Sequence, residues 1–155
     1  NNQRWKGVPF FIKVGKALKK KSASMHLKFK EVDCLLSKTC PSDTNYFSMR
    51  IQPNSGFEIE LNSKVPGKKS EVLPIKMEFC EKCRFGPNTP EAYETLLEDV
   101  MNGDQSAFVR NDEIEYAWKI IDSIKGKVYT YEKGSEGPVQ MKKFQIKHKI
   151  TWRTE

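Results

Sequence analysis

The chain has 155 residues, of which 37% are hydrophobic and 30% are charged, and its formal net charge is +7. This composition is typical of a folded domain and excludes an intrinsically disordered chain. No apolar run reaches the ~18 residues of a membrane-spanning helix, and no signal-peptide pattern opens the sequence. The positive charge favours an anionic partner, such as a phosphate, a nucleotide, a nucleic acid or an acidic lipid. Because the first residue is Asn1 and not Met, we expect the chain to have been cut from a longer one.

The first distinctive segment is GVPFFIKVGKALKKKSA, residues 7–23, in which an apolar run ends at a Gly-Lys turn and five lysines are clustered. It predicts a buried strand followed by a basic loop. Lysine is a point charge suited to a phosphate. Arg50 and Gln52 alternate on one face of a later strand and would add donors if the two strands were neighbours. A phosphate site, a nucleic-acid patch and a solvated loop are therefore all open interpretations.

Four later segments predict β-strands, because apolar and polar residues alternate along each of them. They are residues 24–30, 47–52, 57–61 and 73–79. Such alternation gives a sheet one apolar face and one polar face, which is typical of antiparallel sheets. Pro53-Asn54-Ser55-Gly56, between the second and third segments, predicts a hairpin turn.

Two helices are predicted after the strands. Thr89 is placed to cap the first helix, and Gly103 can take the left-handed conformation that ends it. Asn111 or Asp112 is placed to cap the second helix. We therefore predict an α+β fold, in which helices cover one face of a large, mostly antiparallel sheet, and a single domain over residues 1–155.

The polar face of the predicted sheet carries charges of both signs. Its residues are His26, Lys28, Arg50, Gln52, Glu58, Glu60, Lys76 and Glu78. Opposite charges can pair between neighbouring strands, so a solvated face is one interpretation. A self-complementary surface that pairs with a two-fold copy is the other.

Catalytic motifs are absent from the sequence. There is no G-x-G-x-x-G, no phosphate-binding loop, no G-x-S-x-G and no spaced pair of metal-binding histidines. We expect His26 and His148 to be surface residues. The four cysteines are Cys34, Cys40, Cys80 and Cys83. Their spacing does not fit a usual zinc ribbon, so we expect free thiols of a cytosolic protein and no metal site.

Five motifs stand in order along residues 2–138: NQRWKGVPFFIKVGKAL, MRIQPNSG, KVPG, PEAYETLLEDVMNGDQSAFVRNDEIEYAWKIID and YEKGSEGP. Together they resemble the C-terminal, α+β domain of glucose-6-phosphate dehydrogenases. The resemblance implies a parent enzyme that oxidises glucose 6-phosphate to 6-phosphogluconolactone with NADP, the first step of the pentose phosphate pathway. In that family a Rossmann domain and the catalytic histidine precede this segment. We therefore expect no catalytic residue in this chain and no activity from it alone.

The resemblance also implies site residues. Lys16 corresponds to the substrate-contacting lysine of the GKAL motif, and Lys21 to a basic substrate contact five positions later that is often Arg. Gln52 corresponds to the substrate-contacting Gln of the family's IRIQP strand. The family's large sheet builds a dimer interface, so the resemblance implies a homodimer through the polar sheet face. It further implies a cytoplasmic location and no association with a membrane.

Some animal members of the family carry a second, structural NADP in this domain. Its nearest counterparts here are Lys13, Arg50 and Trp152. Glu60 and Glu136 stand where such members carry basic groups, and they would repel a 2′-phosphate. We therefore expect this structural NADP to be bound weakly or not at all.

Two other classes of function remain open. A basic nucleic-acid-binding module would need aromatic and basic residues on one sheet face. The aromatic residues of the predicted strands lie on the opposite face from the charges, so we expect no nucleic-acid partner. A purely structural dimerisation domain would bind no ligand, and binding of glucose 6-phosphate would distinguish it from the enzyme domain.

Overall fold

The computed structural model of the protein describes residues 3–31, 45–69, 71–86 and 92–153. Its strands are β1 (Ala23–Lys28), β2 (Tyr46–Gln52), β3 (Gly56–Lys64) and β4 (Val72–Cys80). Its α-helices are α1 (Glu81–Phe85), α2 (Ala92–Asn102), α3 (Asn111–Asp122) and α4 (Gln140–His148). These elements belong to two compact units, one made of residues 1–21 and 128–155 and the other of residues 22–127.

The second unit contains an antiparallel sheet in the order β1-β2-β3-β4, so each strand pairs with its neighbour in sequence. All four strands predicted from alternation are present, and the α+β class is confirmed. The turn predicted at residues 53–56 joins β2 to β3, with a cis peptide bond between Gln52 and Pro53.

The register places the apolar residues of all four strands on one face. One row across the sheet is Leu27, Phe47, Ile59 and Met77, and the next is Met25, Met49, Phe57 and Phe79. The rings of Phe57 and Phe79 stack with their centroids 5.3 Å apart. This is the arrangement that the alternation predicts, because a slip of one residue would move every side chain to the other face.

This apolar face is open to solvent. Ile51 is 61% exposed and Met77 is 49% exposed, and no apolar side chain among the described residues is buried. Within residues 22–127, the helix with the clearest contact to the sheet is the short α1, which contacts β4. The covering of this face by α2 and α3 that the sequence predicts is not seen. Trp118 of α3 is itself 62% exposed.

Of the helix ends predicted from the sequence, two lie among the described residues, and one of these two is confirmed. Gly103 follows α2 with a φ of +71°, as predicted for a left-handed helix end. Thr89, the predicted cap of α2, lies outside the described residues. The cap of α3 is Arg110, so the prediction of Asn111 or Asp112 was wrong by at least one position. No helix among the described residues is long and apolar enough to cross a membrane.

The short helix α1 fixes the end of β4. Cys80 caps it by accepting a hydrogen bond from the backbone N–H of Cys83, and the two cysteines form a disulfide. The prediction of free thiols was therefore wrong for this pair, because the α1 turn brings their Cα atoms within 5.2 Å. The prediction for Cys34 and Cys40 falls outside the described residues.

Gly56 allows β3 to begin against β4. A Cβ atom at this position would lie 2.2 Å from the carbonyl oxygen of Phe79, so any side chain here would collide with the backbone. The adjacent Ser55 accepts a backbone hydrogen bond from Glu81 at 3.1 Å and donates its hydroxyl to the Glu81 carboxylate. The β2–β3 turn is thereby tied to α1.

Candidate functional site

The lysine-rich loop lies in the unit made of residues 1–21 and 128–155. Its Lys16 side chain is exposed. The next residue, Ala17, has a φ of +53°, a left-handed conformation that non-glycine residues rarely adopt. Such a conformation persists only where surrounding contacts hold it, so the loop must be fixed from outside its own sequence.

Residues 131–135 supply those contacts. The Tyr131 hydroxyl donates a hydrogen bond to the backbone carbonyl of Lys16 at 2.8 Å. The backbone N–H of Gly134 donates to the carbonyl of Ala17 at 2.8 Å, and the N–H of Lys19 donates to the carbonyl of Ser135 at 3.0 Å. We call this segment the clamp. It holds the backbone from the Lys16 carbonyl to the Lys19 N–H, while the Lys16 side chain stays exposed.

Gly15 makes room for the clamp. A Cβ atom at Gly15 would lie 3.1 Å from the Tyr131 hydroxyl and 3.0 Å from a methyl carbon of Leu18. Both distances are shorter than ordinary van der Waals contacts. Close packing beside Lys16 therefore favours glycine at this position of the GKAL motif, and its φ is not in the left-handed region.

The other two substrate residues implied by the resemblance lie on different elements. Lys21 is exposed and precedes β1, and Gln52 is exposed at the end of β2. Gln52 is the register partner of Ala23, which follows Lys21 by two residues in the chain. Lys16 and Lys21 belong to one compact unit and Gln52 to the other, so their roles as a substrate site remain predictions.

Two of the three residues proposed for a structural NADP already pair with carboxylates. The Lys13 ammonium lies 3.3 Å from the Glu136 carboxylate, and Arg50 pairs with Glu78. The indole Nε1 of Trp152 is buried and has no hydrogen-bond partner among the described residues. A bound phosphate would compete with these carboxylates for the two cations. That the structural NADP binds weakly or not at all stays a prediction.

Several charged and polar groups on the polar face of the sheet pair with one another. Ser48 and Glu60 are the buried polar residues of the described chain, at 6% and 8% exposure. Lys76 bridges two carboxylates, at 3.6 Å from Glu58 and 3.4 Å from Glu60. His26 lies within hydrogen-bond distance of two serine hydroxyls, one of them Ser48 at 2.9 Å. The cross-strand pairing considered from the sequence is therefore present.

Helix α4 was not predicted from the sequence, which gave His148 only as a surface residue. The ring of His148 lies 4.5 Å from that of Phe144 and 5.8 Å from that of Phe11, measured between centroids. The signal in the sequence is the spacing of Phe144 and His148, four residues apart on one helix face. This cluster joins Phe11 to α4. The residues before the lysine loop form no strand, and Phe10 and Val14 are 68% and 89% exposed, so the prediction of a buried strand there was wrong.

Comparisons with known proteins match most of this chain to one family. The family model described as "Glucose-6-phosphate dehydrogenase, C-terminal domain" matches residues 1–153. The chain is 35% identical to the glucose-6-phosphate 1-dehydrogenase of Bacillus subtilis, over 98% of this chain and 33% of that enzyme. It is 37% identical to the cytoplasmic glucose-6-phosphate 1-dehydrogenase 5 of Arabidopsis thaliana, over 90% and 29%.

Solved structures give the same result. A glucose-6-phosphate dehydrogenase in complex with its substrate glucose 6-phosphate matches with a TM-score of 0.68 and 28% identity, over 90% of this chain and 30% of that chain. The Mycobacterium avium glucose-6-phosphate 1-dehydrogenase matches with a TM-score of 0.65 and 26% identity, over the same shares of each chain.

The matches define the class first: the chain resembles a domain that occurs in oxidoreductases. It belongs to the glucose-6-phosphate dehydrogenase family and corresponds to the C-terminal domain of that family. The resemblance seen in the sequence is confirmed. The chain spans about a third of the length of the curated relatives it matches.

Proposed function

We propose that this chain is the C-terminal domain of a glucose-6-phosphate dehydrogenase and that it binds the phosphorylated sugar as a single domain. Membership of the family over residues 1–153 supports this function. The complete enzyme would oxidise glucose 6-phosphate to 6-phosphogluconolactone with NADP, and another part of that enzyme would bind the NADP. A cytoplasmic location is proposed with it, and the relatives include both cytoplasmic and chloroplastic enzymes.

The observation that carries the proposal is the fixed backbone beneath an exposed Lys16. An ammonium on a four-carbon stem can reach a phosphate and donate charge-assisted hydrogen bonds to it. Fixing the stem at its base reduces the conformational entropy lost when the phosphate binds. Lys21 would add a second positive charge, and the Gln52 amide offers a donor and an acceptor to sugar hydroxyls.

In this proposal the domain positions the substrate and does not carry out the chemistry. Binding energy from the phosphate, which does not react, holds the sugar in place for hydride transfer to NADP. The open apolar face of the sheet also supports a domain that works within a larger protein, because uncovered apolar faces of this kind mark interaction surfaces.

Domain replacement tests the function. We expect a Bacillus subtilis enzyme whose C-terminal domain is replaced by this chain to form NADPH from glucose 6-phosphate, measured by absorbance. A matched chimera with Lys16→Ala is the control for the lysine loop. A chimera that folds and binds NADP but forms no NADPH from the sugar phosphate would contradict the proposal.

A homodimer through the polar sheet face is the proposed assembly. One row across this face carries charges of both signs, with Lys28 and Lys76 in the same row as Glu60. A two-fold copy could therefore meet opposite charges. Lys28 is exposed, and its recorded ion pair is with Glu31 beyond the end of β1.

Charge reversal at Lys28 tests the dimer. We expect Lys28→Glu in the complete enzyme to weaken dimerisation by roughly tenfold, because a like charge would then face the partner. Analytical ultracentrifugation over a range of concentrations measures the dissociation constant. Lys147→Glu on α4 is the matched control and should leave it unchanged. Equal dissociation constants for all three proteins would place the interface on another surface.

A further inference from the structure

Among the described residues, the Tyr131 hydroxyl is the one side-chain group of the clamp that hydrogen-bonds to the backbone of Lys16. Its donor–acceptor distance to the Lys16 carbonyl is 2.8 Å. The other two clamp bonds join backbone groups after Lys16, at Ala17 and Lys19. A side-chain substitution can therefore remove the Tyr131 bond and leave the other two in place.

The Tyr131 hydrogen bond also bears on the conformation of the loop. Ala17 holds a left-handed φ of +53°, which a free loop would leave for a commoner conformation. Such a change would rotate the peptide group that Tyr131 holds and swing the base of the Lys16 stem. The ammonium would then spread over more positions, and fewer of them would suit a bound anion.

We propose that Tyr131 is a positioning residue for substrate binding, which holds the Lys16 carbonyl and so directs the Lys16 ammonium to the phosphate of the sugar. This inference rests on the proposed function and adds a residue to it. Tyr131 does not touch the substrate in this scheme and acts through the loop. Its expected signature is a change in the Michaelis constant for the phosphorylated sugar at nearly constant turnover.

Tyr131→Phe in the complete enzyme is the first test. Removing one neutral hydrogen bond should raise KM for glucose 6-phosphate roughly three- to tenfold. The turnover number, KM for NADP and the melting temperature should stay close to those of the unaltered enzyme. Tyr93→Phe is the matched control, since it removes the same hydroxyl from an exposed tyrosine of α2. It should change none of these quantities.

A double-substitution cycle separates positioning from a general structural role. In a Lys16→Ala background the loop has no ammonium to direct, so Tyr131→Phe should cause little further rise in KM. Loss of stability without positioning would instead lower activity equally in both backgrounds.

Gly15→Ala gives an independent check, because its Cβ would press on the Tyr131 hydroxyl at 3.1 Å. It should raise KM for glucose 6-phosphate by itself. Combined with Tyr131→Phe, it should raise KM by less than the product of the two single effects, because the hydroxyl that it displaces is already gone.

The outcomes are distinguishable. A raised KM for Lys16→Ala with no change for Tyr131→Phe would overturn the positioning role and leave the proposed function standing. An unchanged KM for Lys16→Ala would overturn both the substrate role of Lys16 and the inference that depends on it. Effects of Tyr131→Phe that multiply with those of Lys16→Ala would overturn positioning through that residue.

Discussion

Replacing Lys16 by alanine should raise KM for glucose 6-phosphate by one to two orders of magnitude. A hydrogen bond to a charged group contributes about 1.5–3 kcal/mol, which corresponds to a factor of roughly 10 to 150 in binding. Because the loop backbone is fixed by the clamp, the truncation should remove the ammonium without reorganising the loop. Steady-state kinetics of the complete enzyme measure this, with KM for NADP expected to stay unchanged.

Two variants sharpen the Lys16 experiment. Lys16→Arg keeps the positive charge and should recover part of the lost affinity. Lys125→Ala removes an exposed lysine from the second compact unit and should leave the kinetics unaltered. If Lys125→Ala and Lys16→Ala behaved alike, the effect would come from net charge and Lys16 would have no special place in the site.

Gly56→Ala should be the most destabilising single-methyl change in the sheet. The new Cβ would lie 2.2 Å from the carbonyl oxygen of Phe79 and 3.3 Å from the Cα of Cys80, and both are backbone atoms that cannot rotate away. Relief requires β3 and β4 to separate, with loss of the ladder where Gly56 lies opposite Cys80. We expect a loss of about 3 kcal/mol or more in the free energy of unfolding.

Urea unfolding of the complete enzyme measures the Gly56 effect. Gly126→Ala is the matched control, because a Cβ there meets no atom within 4 Å and its φ is not left-handed. It should be neutral or stabilising by about 0.4–1 kcal/mol, through the lower entropy of the unfolded chain. Equal effects of the two substitutions would mean that β3 and β4 lie further apart at this end.

The sheet could be predicted from the sequence because its signal is local. Alternation with period two assigns each side chain to a face, and strands that pair with their sequence neighbours need no long-range information. Helix α4 gives a weaker signal, since its apolar face is short and its contact with Phe11 comes from the other end of the chain. The cap of α3 was misplaced because Asn111 and Asp112 are common caps, whereas Arg110 takes the position without a side-chain cap bond.

The candidate site could likewise be predicted only in part. Lys16 could be named from its motif, and so could the glycine beside it. Tyr131 could not, because its bond to Lys16 spans 115 residues of sequence and no local pattern records it. The ion pair of Lys13 with Glu136 was also not predicted. The sequence analysis treated Glu136 as a charge that would repel a 2′-phosphate, whereas in the structure it pairs with the Lys13 ammonium.

The lysine loop and its clamp lie far apart in the sequence, and this distance has a consequence for synthesis on the ribosome. The strands pair with sequence neighbours and can associate as they emerge, since chains fold from the N-terminal side during translation. The loop around Lys16 emerges before them but gains its fixed shape only after residues 131–135 have been made. A premature stop codon before Tyr131 would therefore yield a product with the four described strands and an unanchored lysine loop.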